Sequence, residues 1–438
     1  MGRISRLWVH LSSGFWFLPS LIVVLMVGLA FALVELDILV GESARRRWPS
    51  LMPTDAGSAR EMLSSISGSF ATVAGVVFSI TIVALALANT QYSSRVLGAF
   101  TRDKVNQGIL GVMAGIFAYC LTVLLAINGD HAAMPSIAVA AAFFFALGGA
   151  FALIFFIHHI VDGIQATSII ASIAADTIKA VGQTFTGVPS APPARAGSGD
   201  DGKPWTNVPA LKTGYIECVD IVALAAFAAK RGALVRMDRS AGDFVIQGKP
   251  LISIRLPGPP DAKDLAALNQ AHHIGRFRTV DHDPDFGIRQ LVDMALKALS
   301  PGVNDTTTAV LCVDNLTAIL AAASARAERP DVCGDDGRRT VIVRTPAFAD
   351  LLSKAFDQIR QNAGGNVAVI TALLNGIGIL APGISPGPRR DGLRRQFEEI
   401  SGLAARSIES PHDRRDVEDH IRQVARTAGF DGLDAGNG

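Results

Sequence analysis

The stretch MLSSISGSFATVAGVVFSITIVALALANTQYSS, residues 62–94, decides the architecture because it holds 33 consecutive residues without a charge. A helix rises ~1.5 Å per residue, so this stretch would extend roughly 50 Å, while the core of a bilayer is only ~30 Å thick. It therefore predicts a membrane-spanning helix that projects beyond the lipid. SARE, residues 58–61, has the spacing of a capping box and predicts the start of the helix.

Three further apolar runs flank this stretch. FWFLPSLIVVLMVGLAFALV, residues 15–34, is long enough to span, whereas the apolar core of a signal peptide has roughly 7–15 residues. Its AFA at 30–32 resembles a signal-peptidase site, which keeps cleavage as an alternative. The other runs cover residues 105–128 and 132–157. The sequence thus predicts an α-helical integral membrane domain over residues 1–164, with four transmembrane helices at about 15–38, 66–92, 107–128 and 134–160.

Basic residues in the short loops predict the orientation. The loop at 95–104 holds three of them and the loop at 129–133 holds none, which places the first loop in the cytoplasm. The N-terminus, with Arg3 and Arg6, then also lies inside, and four spans return the C-terminus to the same side. The cluster Arg45–Arg47 on the opposite loop argues against this orientation.

The second half of the chain has a balanced charge. From Asp162 onward there are 31 Lys and Arg against 32 Asp and Glu, and the whole chain has a net charge of +1. A nucleic-acid-binding region usually carries a basic field, so no nucleic-acid partner is expected. The four cysteines, at 120, 218, 312 and 333, lack the CxxC spacing of a zinc site and form no disulfide pattern.

Composition divides this second half into segments. A helix leaving the membrane is expected at 165–188, a Pro/Gly/Ser-rich linker at 189–206, a small β-rich subdomain at 207–258, a mainly helical cytosolic subdomain at 259–425 and a frayed tail at 426–438. The fold class is therefore a membrane domain joined to a cytosolic α+β region. Within it, FGIRQLVDMALKAL, residues 286–299, has one apolar helical face and a charged stripe of Arg289, Asp293 and Lys297.

The strand-and-turn pattern of residues 214–255 resembles that of lipoyl- and biotinyl-type barrel-sandwich folds. Glycine turns at Gly242 and Gly248 flank an apolar run, as in that pattern. The modified lysine of those domains lies at a hairpin tip, whereas Lys249 here follows the glycine turn. The resemblance implies a small β-barrel-like unit, and we expect no cofactor on it.

Three segments together resemble one bacterial family, the predicted membrane proteins grouped as domain of unknown function 2254. They are residues 67–111, FFIHHIVDGIQ at 155–165 and HDPDFGIRQLVDMALKALSPGVNDTTTAV at 282–310. The resemblance implies a multi-pass protein of the bacterial inner membrane with a cytosolic C-terminal region. It implies no catalytic residue for this chain.

Small and hydroxyl-bearing residues form a stripe along one face of the second span. Its members are Ser65, Gly68, Ser69, Thr72, Gly75 and Ser79. Small residues let helices pack closely in lipid, and this helix-packing role is the simpler interpretation. Hydroxyls can also replace part of the hydration shell of an ion, so the stripe is a candidate lining for a pathway. Gly108, Gly111 and Gly115 of the third span offer it a partner face.

Two other groups of polar residues are candidate sites. His158 and His159 end the fourth span, and Asp162 lies four residues after His158, which predicts a pH-sensing His–Asp pair, a metal site or an interfacial anchor. Arg276, Arg278 and Asp283 are weaker candidates for ligand binding and could equally form structural ion pairs. Asp283 and Asp285 also suit the N-terminus of the helix that follows them.

Metal and catalytic motifs are missing from the sequence. Counted from Asp281, an EF-hand would need Gly at its sixth position and Glu at its twelfth, and the chain has Phe286 and Val292 there. No P-loop or HExxH motif is present, and no GxSxG follows a predicted strand as a nucleophile elbow would. We therefore expect no resident metal and no enzymatic activity.

The sequence favours one function and leaves two alternatives. The favoured function is a homo-oligomeric, channel-like protein whose cytosolic region regulates a path lined by the second span. The central parts of the spans carry no charged residue, unlike those of proton-coupled pumps. The alternatives are a membrane-anchored sensor or scaffold without a path, and a membrane enzyme.

Overall fold

A computed structural model describes residues 16–47, 56–91, 103–128, 135–185, 204–327, 332–333 and 339–430. The chain divides into two compact units, Met1–Gln165 and Ala166–Gly438. Several predicted features lie outside the described residues: the N-terminal arginines, most of the 95–104 loop, the 129–133 loop, the linker at 189–203 and the tail from 431. The side chains of Arg45–Arg47 lie outside them as well.

The described part of the first unit contains four long helices. They are α1 (Phe17–Arg47), α2 (Ala56–Gln91), α3 (Lys104–Asn128) and α4 (Ser136–Ile164). Each prediction of a span thus falls on a helix, although α1 and α2 are longer than predicted. Because α2 begins at Ala56, Ser58 lies within its first turn and is not the cap predicted from SARE. Helix α3 packs against the other three, which explains why Met113, Tyr119 and Val123 have no exposed surface.

Polar contacts join α1 to the start of α4. Asp37 of α1 is buried, and its Oδ2 accepts hydrogen bonds from the backbone amides of Ile137 at 2.7 Å and Ala138 at 3.1 Å. The hydroxyl of the buried Tyr119 donates to the carbonyl of Ala138 at 2.8 Å. The first amides of a helix lack intrahelical partners, so Asp37 satisfies two donors of α4 that lipid could not.

Among the described residues, five helices are long and apolar enough to cross a membrane. They are, within their apolar limits, Phe17–Asp37, Ala56–Leu87, Lys104–Ile127, Ser136–Gly163 and Thr306–Ser324. The fifth was not predicted as a span. It belongs to the second unit, where Cys312, Leu316 and Leu320 are fully buried.

The second unit contains two sheets. Its strands are β1 (Thr206–Pro209), β2 (Gly214–Val219), β3 (Leu234–Met237), β4 (Phe244–Val245), β5 (Pro250–Arg255), β6 (His272–Gly275), β7 (Val332–Cys333) and β8 (Arg339–Ile342). One sheet has the order β1-β5-β3-β8-β7, and the other β4-β2-β6. Of the described strands, only β3 and β8 pair in parallel. Helix α6 (Ile221–Arg231) carries the chain from β2 in one sheet to β3 in the other.

The β-barrel-like unit expected at 207–258 is not confirmed. Among the described residues, neither sheet closes into a barrel. The β-rich segment also recruits strands from outside its predicted limits, since β2 pairs with β6 and β3 pairs with β8. Periodicity along 207–258 could not show these partners because strand pairing is a long-range contact.

Eight further α-helices are described in the second unit. They are α5 (Ala166–Thr184), α7 (Ala262–Gln270), α8 (Pro284–Ala298), α9 (Thr306–Ser324), α10 (Phe348–Asn362), α11 (Val367–Leu380), α12 (Pro388–Ser407) and α13 (Pro411–Ala428). Helix α7 packs against α6 and β6, whereas the other seven pack against one another. The predicted apolar face of α8 is buried, with Ile288, Leu291 and Val292 at zero exposure. Helix α5, expected only to lead away from the membrane, packs against α8 and α9.

Candidate functional site

One cavity in the second unit joins segments that are far apart in the sequence. It measures about 310 Å³. Its wall combines the end of α5, strand β2, the turn at 240–243, the start of α8, and the segment from the end of β8 into α10. Cavities of a few hundred cubic ångströms with several converging polar groups are the usual form of small-molecule sites.

Arg278 is the centre of an ion-pair network on the wall of this cavity. Its Nη2 lies 2.7 Å from Oδ2 of Asp283 and 3.2 Å from Oδ2 of Asp285, and its Nε donates to Asp283 at 2.9 Å. Lys354 of α10 contributes the fourth charge, with Nζ 2.7 Å from Oδ1 of Asp285. The network therefore connects the start of α8 to α10 and holds the inner wall in one arrangement.

Asp283 has two structural roles in this network. It caps α8, since its Oδ1 accepts from the amide of Phe286 at 3.2 Å, and its side chain is only 3% exposed. Burial raises the pKa of Asp283 to about 6, although the charge and hydrogen bonds of Arg278 act to lower it. Burial also lowers the pKa of Arg278, but Asp283 and Asp285 act in the opposite direction and the net shift is upward. The carboxyl group of Asp283 thus changes charge near pH 6 while the guanidinium stays charged.

The turn at 240–243 lies directly against Asp283. Gly242 has a φ of +90°, and a Cβ atom there would lie 2.2 Å from Oδ2 of Asp283. The amide of Gly242 donates to the carbonyl of Ile216 at 2.8 Å, and Oδ2 of Asp243 accepts from the amide of Ser240 at 3.0 Å. Only glycine allows this close approach in this conformation.

The rim of the cavity carries charges of both signs. Arg344 is exposed, and its Nη1 donates to the carbonyl of Asp238 at 2.6 Å. Asp350 is exposed in the first turn of α10. Neither forms an ion pair with any residue in the described ranges. Cys218 also lines the cavity, but burial raises the pKa of its thiol, which disfavours the nucleophilic thiolate.

The predicted ligand-binding residues divide between the cavity and the surface. Arg278 and Asp283 lie together in its wall. Arg276 is not part of the wall, because its guanidinium instead lies over the ring of Phe277 at 5.4 Å. Asp283 and Asp285 occupy the start of α8, as expected from their helix-terminal positions. Within the described part of the chain, no three His, Cys, Asp or Glu side chains are arranged to hold a metal ion.

The stripe on the second span faces away from the rest of its unit. Ser65, Gly68, Ser69, Thr72, Gly75 and Ser79 are all exposed on the single chain. The opposite face of α2 makes the internal contacts, through Leu63, Phe70 and Val77. The stripe therefore packs against no other described helix of its own chain. Whether it lines a pathway stays a prediction.

The glycines of the third span do not form the partner face predicted for this stripe. A Cβ atom at Gly111 would lie 2.8 Å from Cδ1 of Ile22, and one at Gly115 would lie 2.9 Å from Cγ of Met26. Both glycines thus allow close packing of α3 against α1. No atom lies within 4 Å of the corresponding position at Gly108. The expectation was wrong because spacing along α3 does not reveal which neighbour its glycine face meets.

The histidines at the end of α4 have different partners. Nε2 of His158 lies 3.3 Å from Oδ2 of Asp162, as the i, i+4 spacing predicts, and both side chains are largely exposed. Nε2 of His159 lies 2.7 Å from Oδ2 of Asp103, which precedes α3 and accepts from the amide of Val105 through Oδ1. The His159 pair therefore joins the ends of two helices. A pH-sensing role stays a prediction.

Sequence reasoning missed four charged residues that the tertiary structure places at these sites: Asp103, Arg344, Asp350 and Lys354. Asp103 lies directly before the third span, and its position at the start of a helix was a usable signal. Lys354 and Arg344 are more than 50 residues from Asp283 in the sequence, and no local pattern distinguishes them. Only the packing of α10 and β8 brings them to the cavity.

The outer surface of the first unit indicates which class of protein this is. Large apolar side chains such as Leu125, Phe151 and Ile154 are 66–73% exposed. Such a surface needs an apolar surrounding, and with several apolar helices it defines a membrane protein, here joined to an α+β region with a charged cavity.

The chain belongs to the family described as "Predicted membrane protein (DUF2254)", whose family model matches residues 12–378. It is 31% identical over 434 residues to "Uncharacterized protein MT1328" from Mycobacterium tuberculosis (strain CDC 1551 / Oshkosh), a match that covers 94% of this chain and 80% of the relative. "Uncharacterized protein Mb1321c" from Mycobacterium bovis (strain ATCC BAA-935 / AF2122/97) matches with the same identity and coverage. No solved structure matches significantly.

Proposed function

We propose that the protein crosses the bacterial inner membrane four times, through α1 to α4, with both termini in the cytoplasm. The lack of basic residues in the 129–133 loop supports this orientation. The fifth apolar helix, α9, stays outside the membrane, because its apolar residues are covered by α5, α8 and α11.

Reporter fusions test this topology. A green fluorescent protein fused after Gly438 is expected to fluoresce, since it folds in the cytoplasm, and alkaline phosphatase inserted in the 129–133 loop is expected to be active. Phosphatase activity at the C-terminus would contradict the proposed orientation.

We further propose that the protein is a membrane-anchored sensor that binds a small polar metabolite in its cytosolic cavity and has no enzymatic activity. One observation carries this proposal: a cavity of about 310 Å³ lined by charged groups of both signs. The inner network is rigidly paired, whereas the rim charges are left for a ligand. A channel does not require such a cavity, whereas a ligand-responsive domain does.

Binding of cellular metabolites to the purified protein tests the sensor. The full chain in detergent is incubated with the small-molecule fraction of a bacterial extract, and its melting temperature is measured before and after dialysis. We expect a reversible increase of a few degrees, because a ligand that binds only the folded state stabilises it. Ala241→Phe, which fills the cavity, is expected to abolish the increase. Val222→Phe adds the same ring at an 80% exposed position outside the cavity and serves as the control.

A second candidate function is a homo-oligomer whose second spans surround a path. The exposed stripe on α2 favours it, because small residues would let the second spans of neighbouring copies pack closely and hydroxyls can line a path. Disulfide crosslinking of Ser69→Cys tests the contact, with Phe78→Cys, which is exposed on α2 but lies off the stripe, as control. Conductance in planar bilayers tests the path: a crosslinked protein without conductance would support the oligomer and contradict the channel.

A further inference from the structure

We propose that the cavity recognises a small zwitterion, a metabolite carrying one carboxylate and one ammonium group, as a free amino acid does. This inference deepens the proposed sensor function and rests on it. The two poles of the ligand would be held by Arg344 and Asp350 on the rim.

The inner wall of the cavity supports a zwitterionic ligand, because the charges of this wall are already paired with one another. Arg278 is shared by two carboxylates, and Asp285 is shared by Arg278 and Lys354. A ligand charge directed at Arg278 or Asp283 would have to displace their pair, in which Asp283 is buried, and breaking a buried pair is costly. The inner wall therefore contributes its shape and hydrogen bonds to binding, and the charged residues of the rim recognise the charges of the ligand.

The rim supplies one unpaired cation and one unpaired anion. Nη1 of Arg344 donates to the carbonyl of Asp238 at 2.6 Å, and this bond orients the guanidinium. The other N–H groups of the guanidinium can bind a carboxylate of the ligand. Asp350 lies in the first turn of α10, with its side chain exposed at the rim. Neither pairs with the other or with any other described charged group, so each pole of a zwitterion has a partner.

The total charge of the lining argues against polyanions. Three cations, Arg278, Arg344 and Lys354, face four carboxylates, Asp243, Asp283, Asp285 and Asp350, which leaves −1 when His282 is neutral. A nucleoside triphosphate or another multiply charged anion would be repelled by this balance, whereas a molecule without net charge would not. The volume of about 310 Å³ suits a molecule of amino-acid size.

Matched probes test the inference on the full chain in detergent. The zwitterion probe is an equimolar mixture of the neutral amino acids. The same mixture as N-acetyl derivatives lacks the ammonium group, and as amides it lacks the carboxylate. ATP serves as the polyanion. Binding is followed by the melting temperature and by equilibrium dialysis.

We expect saturable binding of the unmodified mixture alone. Arg344→Gln and Asp350→Asn should each weaken it at least tenfold, since each removes the partner of one pole. The controls Arg415→Gln and Asp416→Asn lie on the exposed face of α13 and should leave it unchanged.

Each contrary result has a distinct meaning. If the N-acetyl derivatives, the amides or ATP bind as well as the unmodified mixture, the zwitterion class is wrong. If no probe binds but the metabolite extract does, and Ala241→Phe blocks it, the class is overturned while the sensor function stands. If neither probes nor extract bind, both proposals fail.

Discussion

Gly242 shows how one residue supports the wall of the cavity. Its φ of +90° is unfavourable for other L-residues, and a Cβ atom would meet Oδ2 of Asp283 at 2.2 Å. Gly242→Ala should therefore lower the free energy of unfolding by about 2–4 kcal/mol, as strained backbone and overpacking add. Thermal unfolding of the purified protein measures the effect. Gly258→Ala, where no atom lies within 4 Å, is the control and should behave like the wild type.

Asp283 predicts a pH dependence with a defined sign. Burial raises its pKa from the ordinary 3.8 to about 6, so between these pH values the folded state binds more protons than the unfolded state. Stability contributed by this group therefore rises as the pH falls through this window. We therefore compare the wild type with Asp283→Asn. The difference in their free energies of unfolding, wild type minus variant, should increase by up to about 3 kcal/mol from pH 7 to pH 4.

Denaturant titrations at several pH values measure this difference. Asp281→Asn is the control because Asp281 is exposed and close in the sequence. A difference that is constant across the pH range, or that decreases toward acid, would show that burial does not govern Asp283.

At the scale of secondary-structure elements, the contact between α5 and α8 depends on a missing side chain. A Cβ atom at Gly287 would lie 1.9 Å from Oγ1 of the fully buried Thr177. Gly287→Ala should therefore destabilise the second unit by about 1–3 kcal/mol. Thr177→Ala in the same chain should recover part of this loss in thermal unfolding. Gly302→Ala, at an open position, controls for the loss of glycine itself.

The contact between α1 and α4 depends on a carboxylate. Asp37 accepts two amide hydrogen bonds at the start of α4, so Asp37→Ala leaves buried donors without a partner. We expect a loss of about 1–3 kcal/mol in unfolding experiments in detergent, and a smaller loss for Asp37→Asn, which keeps an acceptor. Glu35→Ala changes an exposed carboxylate on the same helix and should have little effect. Equal losses for Asp37→Ala and Glu35→Ala would contradict the capping role.

At the scale of the whole molecule, the second unit should fold without the first. Its apolar helix α9 is covered by helices of the same unit, so lipid is not needed to bury it. A fragment of residues 166–438 should therefore be soluble and unfold cooperatively, as followed by circular dichroism. Recovery of the fragment only in membranes or detergent would indicate that α9 requires lipid.

The elements of the first unit could be predicted because lipid imposes a local rule. A spanning helix needs about 20 apolar residues in succession, and that requirement is visible in the sequence. The ends of α1 and α2 were less predictable, since helices continue beyond the apolar run wherever local contacts allow. The direction of the α2 stripe was not predictable either, because it depends on which face α3 covers.

The candidate site was predictable only in part. Arg278 and Asp283 attracted notice through their charge and their position before a helix. Asp350, Lys354 and Arg344 come from segments whose local sequence resembles any amphipathic helix or strand end. The β-barrel-like unit failed for the same reason, because β6 and β8 supply partners from distant parts of the chain.

The sequence by itself determined that this is a membrane protein, which segments are helical and to which family it belongs. These properties follow from local features: apolar length, helical periodicity and contiguous motifs. The tertiary structure alone decided that the α2 stripe faces outward, that α9 is covered within the second unit, and that charges from α8, α10 and β8 meet around one cavity. Those properties depend on contacts between residues far apart in the chain, whose closeness is set by packing and leaves no local pattern.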